Sequence, residues 1–236
     1  MTTRGRLAID SADHIVVRAL DGVSFDICDD ARVGLVGFNG AGKSTLLRTI
    51  GGIYKPTSGS VELEGSVSSL TDISLGIDSE ATGYENIVLR GLMMGLSRRE
   101  ATDLIPEIEE FTELGDYLNM PVSTYSSGMM VRLAFAVSTA IKPEILLMDE
   151  WIGAGDERFR QKAEDRLVRT VDRARALLLA SHSEQLIRNV CSKAILIDQG
   201  QILIYDDADI VMDEYKRLAR DPSLRTTFTG GALQHA

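Results

Sequence analysis

The segment from Gly37 to Thr45 has the residue types and the spacing of a phosphate-binding loop, G-x-x-x-x-G-K-[ST]. Glycines let the backbone wrap around a phosphate chain with its N–H groups pointing inward, and the following helix adds the positive end of its dipole. Lys43 can reach the outer phosphates, and the Ser44 hydroxyl can bind Mg²⁺. The residues predicted to contact the nucleotide are Gly37, Asn39, Gly40, Ala41, Gly42, Lys43, Ser44 and Thr45. An inert strand-to-helix turn is the alternative, but a lysine in a glycine loop has little structural use, so a nucleoside triphosphate site is favoured.

Two carboxylates, Asp149 and Glu150, follow the continuous apolar run that ends at Met148. Such a run predicts a strand buried on both faces, and ligands collect at the edge of a parallel sheet where such strands end. Asp149 is placed to hold Mg²⁺ through water, and Glu150 is placed to point at an attacking water. Two surface acids in a loop are the alternative. The phosphate loop in the same chain favours the catalytic interpretation.

His182 follows a second apolar run, Ala176–Ala180. A histidine at that position can hydrogen-bond a terminal phosphate and sense its loss. A histidine that merely neighbours a helix cap is the alternative. The phosphate loop and the two carboxylates together favour a functional histidine.

The segment Ser126–Gly128 places hydroxyl residues and a glycine at a predicted helix start, a geometry that binds anions. In isolation an ordinary helix N-cap would explain these residues. Because the chain already has a complete phosphate loop, the segment indicates a site that serves a second molecule.

Composition limits the classes of function. The 236 residues carry a formal net charge of −10, which argues against a general nucleic-acid binder. Cys28 and Cys191 match no metal or redox spacing and are expected to be idle thiols in a cytosolic protein. The N-terminus lacks the apolar core of a signal peptide, and no stretch approaches the about 20 apolar residues of a membrane span. Any membrane role is therefore expected to come through a partner.

The elements that must position these residues follow from periodicity and turn chemistry. Predicted strands are Arg6–Asp10, Ile15–Leu20, Val23–Ile27, Val33–Val36, Val61–Glu64, Val67–Leu70, Glu144–Asp149, Ala176–Ala180, Ala194–Ile197 and Gln201–Ile204. Predicted helices include Leu46–Ile50 and those that begin at the capping boxes Thr82–Glu85 and Ser97–Glu100 and at the segment Ser181–Glu184. Two others span about Ser127–Ile141 and Arg158–Arg173. Pro106 is expected to kink or end the helix that contains it.

The phosphate loop, Ser126–Gly128, Asp149–Glu150, Asp156 and His182 occur in the order found in the nucleotide-binding domain of an ABC transporter, which the chain resembles. The resemblance runs from about residue 7 to residue 215. It implies an α/β P-loop NTPase fold: an ABC cassette with a mostly parallel core sheet, an antiparallel β subdomain and a helical subdomain. The cassette is expected over residues 1–218, with the core and β subdomain at about 1–75 and 142–218 and the helical subdomain at about 76–141. Residues 219–236 are expected to form a short flexible tail.

The resemblance also implies roles for single residues. ATP would lie between the phosphate loop of one copy and Ser126, Ser127 and Gly128 of another, in a head-to-tail homodimer. Glu150 would be the general base, His182 and Lys43 would act on the terminal phosphates, and Asp156 would cross the dimer interface. Mg²⁺ would be the metal cofactor.

A finer resemblance is to the ATPase subunits of polysaccharide exporters for O-antigen, capsule and teichoic acid. The segments that carry it are 74–77, 82–87, 125–129, 132–136 and 149–156. It implies an ATP-hydrolysing subunit that exports a lipid-linked O-antigen-type polysaccharide across the bacterial inner membrane. This subunit would lie at the cytoplasmic face on two copies of a polytopic permease, and it would have no C-terminal carbohydrate-binding domain.

Two other functions remain open at this point. A soluble ABC-type ATPase is one alternative, although such proteins usually pair two cassettes or insert a long coiled coil. A GTPase or nucleotide kinase is the other, although a guanine-selecting Asn-Lys-x-Asp is missing.

The chain departs from the usual ABC pattern at four places. Ser127 stands where most cassettes have Gly, and Met129 stands where they have Gln. No glutamine precedes Gln161, so Asp72 or Ser74 would replace the glutamine that usually touches Mg²⁺. In place of the usual aromatic residue, His14 would stack on adenine, with an ordinary surface histidine as the alternative.

Overall fold

Continuous apolar runs in the sequence become buried strands. The structure is a computed structural model that describes residues 6–9, 15–71, 76–141, 143–150, 157–221 and 223–224. The strands are β1 (Arg6–Ile9), β2 (Ile15–Arg18), β3 (Arg32–Gly37), β4 (Val67–Ser69), β5 (Ile145–Asp149), β6 (Ala176–Ala180), β7 (Lys193–Asp198) and β8 (Gln201–Asp207). The chain divides into two compact units: Met1–Glu64, Leu147–Glu150 and Arg175–Ala236 form unit 1, and Gly65–Leu146 and Trp151–Ala174 form unit 2.

The sheet of unit 1 is mostly parallel. Its strand order is β5-β6-β3-β7-β8, and β5 begins in unit 2, where β4 lies beside it. β3 pairs in parallel with both β6 and β7, so that Leu35 stands opposite Ala180 on one side and Ile195 on the other. All three residues are fully buried, as expected for strands covered on both faces. β8 runs antiparallel to β7, and β1 and β2 form a separate antiparallel pair. The predicted fold class is confirmed.

Local signals in the sequence set most helix boundaries. The helices are α1 (Lys43–Ile50), α2 (Gly83–Met93), α3 (Arg98–Asp103), α4 (Ile105–Thr112), α5 (Ser127–Ala140), α6 (Glu157–Arg173), α7 (Glu184–Val190) and α8 (Ala208–Arg220). Both predicted capping boxes are present, at Thr82 and Ser97. Pro106 lies in the first turn of α4, where its missing N–H costs no helical hydrogen bond, and it separates α4 from α3.

An aromatic cluster forms the core of unit 2. The rings of Phe111, Phe135 and Phe159 lie with their centroids 5.5 to 6.3 Å apart. Arg166 covers Phe111 with its guanidinium 4.3 Å from the ring centroid and donates to Glu107 at 2.7 Å. This cluster ties α4, α5 and α6 together and so fixes α5, whose first turn is the Ser126–Gly128 segment.

Two predicted strands are absent from the described residues. Val23–Ile27 and Val61–Glu64 have no strand structure. The first segment keeps the alternation that suggested a strand, since Val23, Phe25 and Ile27 are half-buried while Ser24 and Asp26 are exposed. Its side chains therefore pack on one side, but its backbone forms no ladder. The second segment is exposed throughout, including Val61 and Leu63.

The predicted domain boundaries stay a prediction, because the two units are defined by packing and not by function. Among the described residues, no helix is both long enough and apolar enough to cross a bilayer.

Candidate nucleotide-binding and catalytic site

The phosphate loop connects the end of β3 to the start of α1, as the sequence predicts. Gly42 caps α1 with φ at 111°, and a Cβ at this position would lie 2.8 Å from the Ala19 carbonyl oxygen. Gly40 also has a positive φ, at 77°. Both positions therefore require glycine. The loop is held in place by hydrogen bonds from Ala41 N to Phe38 O at 3.0 Å and from Gly200 N to Ala41 O at 2.8 Å.

The N-terminus of α1 suits an anion. Within the described residues, no side chain caps α1 and its first turn contains no acid. Its first N–H groups and the positive end of its dipole are therefore available to a ligand. Asn39 and Gly40 are exposed at the loop, and Ser44 and Thr45 in the first turn are half-buried.

Lys43 lies with its ammonium group inside the loop. Its Nζ donates to Gly37 O at 2.8 Å and lies 3.3 Å from His182 Nε2, and the residue is only 8% exposed. A Lys43 ammonium has only donors, so in that form it would donate to His182 Nε2. Burial lowers the pKa of Lys43, while the charges of Asp149 and Glu150 oppose that shift. The lysine, the histidine and the two carboxylates are thus brought together in unit 1.

Glu150 is held by the segment that carries His182. Its Oε1 accepts from His182 N at 3.1 Å, and its Oε2 accepts from Ser181 Oγ at 3.1 Å. Its backbone has φ at 69°, in the left-handed region, and its N–H donates to Ala180 O at 2.8 Å. The carboxylate therefore has a defined orientation although the residue is exposed. The sequence analysis did not identify Ser181 as a site residue. Its position could have indicated one, because it is a hydroxyl residue directly after a buried strand and beside the predicted histidine.

The predicted metal ligands present oxygen atoms of the right kind. Ser44 supplies a hydroxyl from the first turn of α1, and Asp149 supplies a carboxylate at the end of β5. Mg²⁺ prefers oxygen ligands and usually binds one or two carboxylates together with substrate phosphates. The described residues contain no cluster of three or more His, Cys, Asp or Glu that could hold a metal by itself. The pair fits a metal that is shared with a nucleotide.

The segment Ser126–Gly128 lies at the start of α5 in unit 2. Ser126 is the N-cap, and its Oγ accepts from Met129 N at 3.3 Å. Beside it is an open pocket of ≈ 360 Å³, lined by Glu113, Leu114, Tyr117, Ser126, Gly128, Met129 and Arg132. The ordinary N-cap is thus present, and contact with a second molecule stays a prediction.

Three predicted site residues lie outside the described residues. They are His14, Asp72 and Asp156. Ser74, the alternative to Asp72, is outside them as well.

Comparison with known proteins identifies the family. A family model described as "ABC transporter" matches residues 20–153. The O-antigen export system ATP-binding protein RfbE of Yersinia enterocolitica is 46% identical over 208 residues, which are 88% of this chain and 86% of RfbE. The teichoic acids export ATP-binding protein TagH of Bacillus anthracis is 40% identical over 197 residues, which are 84% of this chain but only 36% of TagH.

A solved structure shares the fold. It is a dimeric, post-hydrolysis state of the ATP-binding cassette MJ0796 bound to ADP and Pi, with a TM-score of 0.64 at 22% identity, and the match covers 83% of this chain and 93% of that one. The family predicted from the motifs is confirmed by the matched model and by RfbE. This chain belongs to the ABC transporter family.

Proposed function

We propose that this chain is the ATP-binding and ATP-hydrolysing subunit of an exporter that moves a lipid-linked, O-antigen-type polysaccharide across a bacterial inner membrane. The observation that supports ATP hydrolysis is that Lys43, Glu150 and His182 lie in contact in unit 1, although they come from three different segments of the chain. The export part rests on the relatives, because RfbE and TagH are named for O-antigen and teichoic acid export. Those names favour a transport subunit over a soluble ABC-type ATPase.

In the proposed reaction, the phosphate loop binds the triphosphate of ATP and Lys43 exchanges its loop carbonyls for phosphate oxygens. Glu150 orients a water and accepts its proton while the water oxygen bonds to the γ-phosphorus and the bond to the β-phosphate bridge breaks. His182 hydrogen-bonds the γ-phosphate. Ser44 and Asp149 would hold Mg²⁺, which would supply positive charge against the phosphates. Asp72 at the metal and His14 at the adenine complete the proposed site.

A second copy of the chain completes the site in this proposal. Ser126, Ser127 and Gly128 of that copy would bind the triphosphate from the opposite side, and Asp156 would cross the interface. The dimeric state of MJ0796 supports such an assembly. The starts of α1 and α5 each have first-turn N–H groups without a partner earlier in the helix, which suits them to bind one side of an anion.

The membrane partner is proposed to be a permease present in two copies, docked on unit 2. Leu89, Leu92 and Met93 lie at positions i, i+3 and i+4 of α2 and are 39%, 42% and 68% exposed. They form an apolar strip on one face of the helix. Apolar side chains exposed together on one helix face are typical of a protein interface. Through this contact the chain would lie at the cytoplasmic face of the inner membrane.

Co-purification and a surface-glycan assay test the proposal. The chain is tagged and expressed with a candidate polytopic permease; the complex is expected to co-purify in detergent, and Leu92→Asp is expected to break it. Ile210→Asp is the matched control, since Ile210 is an exposed apolar residue of α8 in unit 1. Loss of surface polysaccharide in cells carrying Lys43→Ala would support export. Unchanged polysaccharide in those cells would contradict it.

A further inference from the structure

Ser181 is a buried hydroxyl in direct contact with the proposed base. It is the first residue after β6 and is only 2% exposed. Its Oγ lies 3.1 Å from Glu150 Oε2 and 3.1 Å from the backbone nitrogen of Ser183. The reaction described above gives this hydroxyl no role.

The direction of the two hydrogen bonds is fixed by the available donors. The N–H of Ser183 can only donate, so the oxygen of Ser181 accepts there. An ionised carboxylate can only accept, so the single hydroxyl proton of Ser181 points at Glu150. The hydrogen-bond chain therefore runs from Ser183 N–H through the Ser181 hydroxyl to the carboxylate.

This chain of hydrogen bonds links Glu150 to the start of α7. Ser183 is the N-cap of α7, and its Oγ accepts from Leu186 N at 3.3 Å. The other carboxylate oxygen accepts from His182 N. Both oxygens of Glu150 are thus bound to the three-residue segment that contains the proposed γ-phosphate sensor.

Apart from these two hydrogen bonds, the charge of Lys43 is the other interaction that acts on this carboxylate among the described residues. Glu150 is exposed, and its left-handed backbone conformation fixes only where its Cβ points. Removal of the Ser181 hydroxyl would leave the His182 N–H as the one hydrogen-bond donor to the carboxylate among the described residues. The carboxylate would then rotate towards solvent for part of the time.

We propose that Ser181 is a positioning residue for hydrolysis: its hydroxyl holds the carboxylate of Glu150 in the orientation that aims it at the attacking water. This inference rests on the proposed role of Glu150 as general base. A hydrogen bond to a charged group is stronger than one between neutral groups, so it favours one orientation of the carboxylate. A displacement of the reacting atoms from their productive positions lowers the rate of hydrolysis.

The test measures kcat, KM and ATP affinity of the exporter complex for Ser181→Ala, Ser181→Thr and Ser181→Cys. We expect Ser181→Ala to lower kcat by about tenfold, the effect of one hydrogen bond to a charged group, while the ATP dissociation constant changes by less than about twofold. Ser181→Thr keeps the hydroxyl and is expected to stay within about threefold of the wild-type kcat. Ser181→Cys keeps the shape with a weak donor, and its loss should approach that of Ser181→Ala.

A matched control separates positioning from local folding. Ser97→Ala removes the cap of α3, a helix that carries none of the proposed site residues, so we expect a lower unfolding midpoint with kcat within about twofold of wild type. If Ser181→Ala does not fold, the comparison of Ser181→Thr with Ser181→Cys decides the question. Equal losses of kcat in those two variants would overturn the proposal, because packing would then explain the effect.

The Glu150→Gln background distinguishes this inference from the proposed function. There we expect Ser181→Ala to change the residual rate by less than about twofold, because the group it positions is gone. Normal hydrolysis in Glu150→Gln alone would remove Glu150 from its role and the inference with it. An inactive Glu150→Gln together with a fully active Ser181→Ala would overturn only the role of Ser181.

Discussion

Lys43→Ala is the most direct test of the phosphate loop. In the structure the ammonium group is buried and donates to Gly37 O at 2.8 Å, so ATP binding exchanges carbonyl acceptors for charged phosphate oxygens. Lys43 would gain two charge-assisted hydrogen bonds to phosphate and lose its contacts with the loop carbonyls. The net contribution to the free energy of ATP binding is about 2–4 kcal/mol. At about 1.4 kcal/mol per tenfold, we expect the dissociation constant for ATP to rise by about 30- to 1,000-fold.

Calorimetric titration with ATP and with AMP measures this effect. AMP lacks the β- and γ-phosphates that Lys43 would contact, so its affinity is expected to change by less than about twofold. The control variant is Lys55→Ala, which removes an exposed lysine shortly after α1. An ATP affinity within twofold of wild type, in a Lys43→Ala protein that unfolds at the normal temperature, would refute the assignment of this loop.

Three further outcomes are expected. Glu150→Gln should keep ATP affinity, abolish turnover and stabilise a dimer with Mg²⁺ and ATP, and a monomer in light scattering under those conditions would contradict the shared site. Hydrogen bonds from Lys216 and Arg188 lower the pKa of Glu184. Their contribution to the stability of the folded chain should therefore be full above about pH 4.5 and disappear as pH falls through the lowered pKa. An unfolding midpoint that is equally acid-sensitive in Arg188→Ala would contradict this. Burial raises the pKa of Cys191 to about 12, so only the other, exposed cysteine should react with a thiol reagent at pH 8 before denaturation.

Elements with purely local signals were predictable from the sequence. The strand β6 was predicted with its observed bounds, because five successive apolar residues favour a strand covered on both faces. The start of α2 was predicted at Thr82, because a capping box uses side chains only three residues apart. The hairpin of β7 and β8 turns at Gln199 and Gly200, which both have positive φ.

Elements that depend on distant partners were not predictable in the same way. Val23–Ile27 has the alternation of a half-buried strand, but a strand also needs a neighbouring backbone with free donors and acceptors. Helix α8 was not anticipated, and its N-cap residue Asp207 makes no side-chain cap bond that could have marked its start. In both cases packing against residues far away in the sequence decides the conformation.

The positions of Asp149 and His182 at strand ends were predictable, but the orientation of the side chains around them was not. Asp149 ends one buried strand and His182 comes shortly after another, so sequence position alone predicts that they share one edge of the sheet. The hydrogen bond between Ser181 and Glu150 joins residues 31 positions apart. It depends on the left-handed backbone of Glu150, a conformation that residue type does not favour.

The side-chain cap at Ser126 could compete with the proposed binding of the start of α5 to the ATP of another copy. Its Oγ uses one lone pair to accept from Met129 N, and Met130 N donates to the Ser126 carbonyl oxygen. The hydroxyl proton of Ser126 is not consumed by these two bonds, and the N–H groups of the first helical turn have no partner earlier in α5. Capping and anion binding therefore use different atoms of one helix start. A phosphate can approach Ser127 and Gly128 without cost to the cap, so the ordinary N-cap and the shared ATP site are compatible interpretations of the same residues.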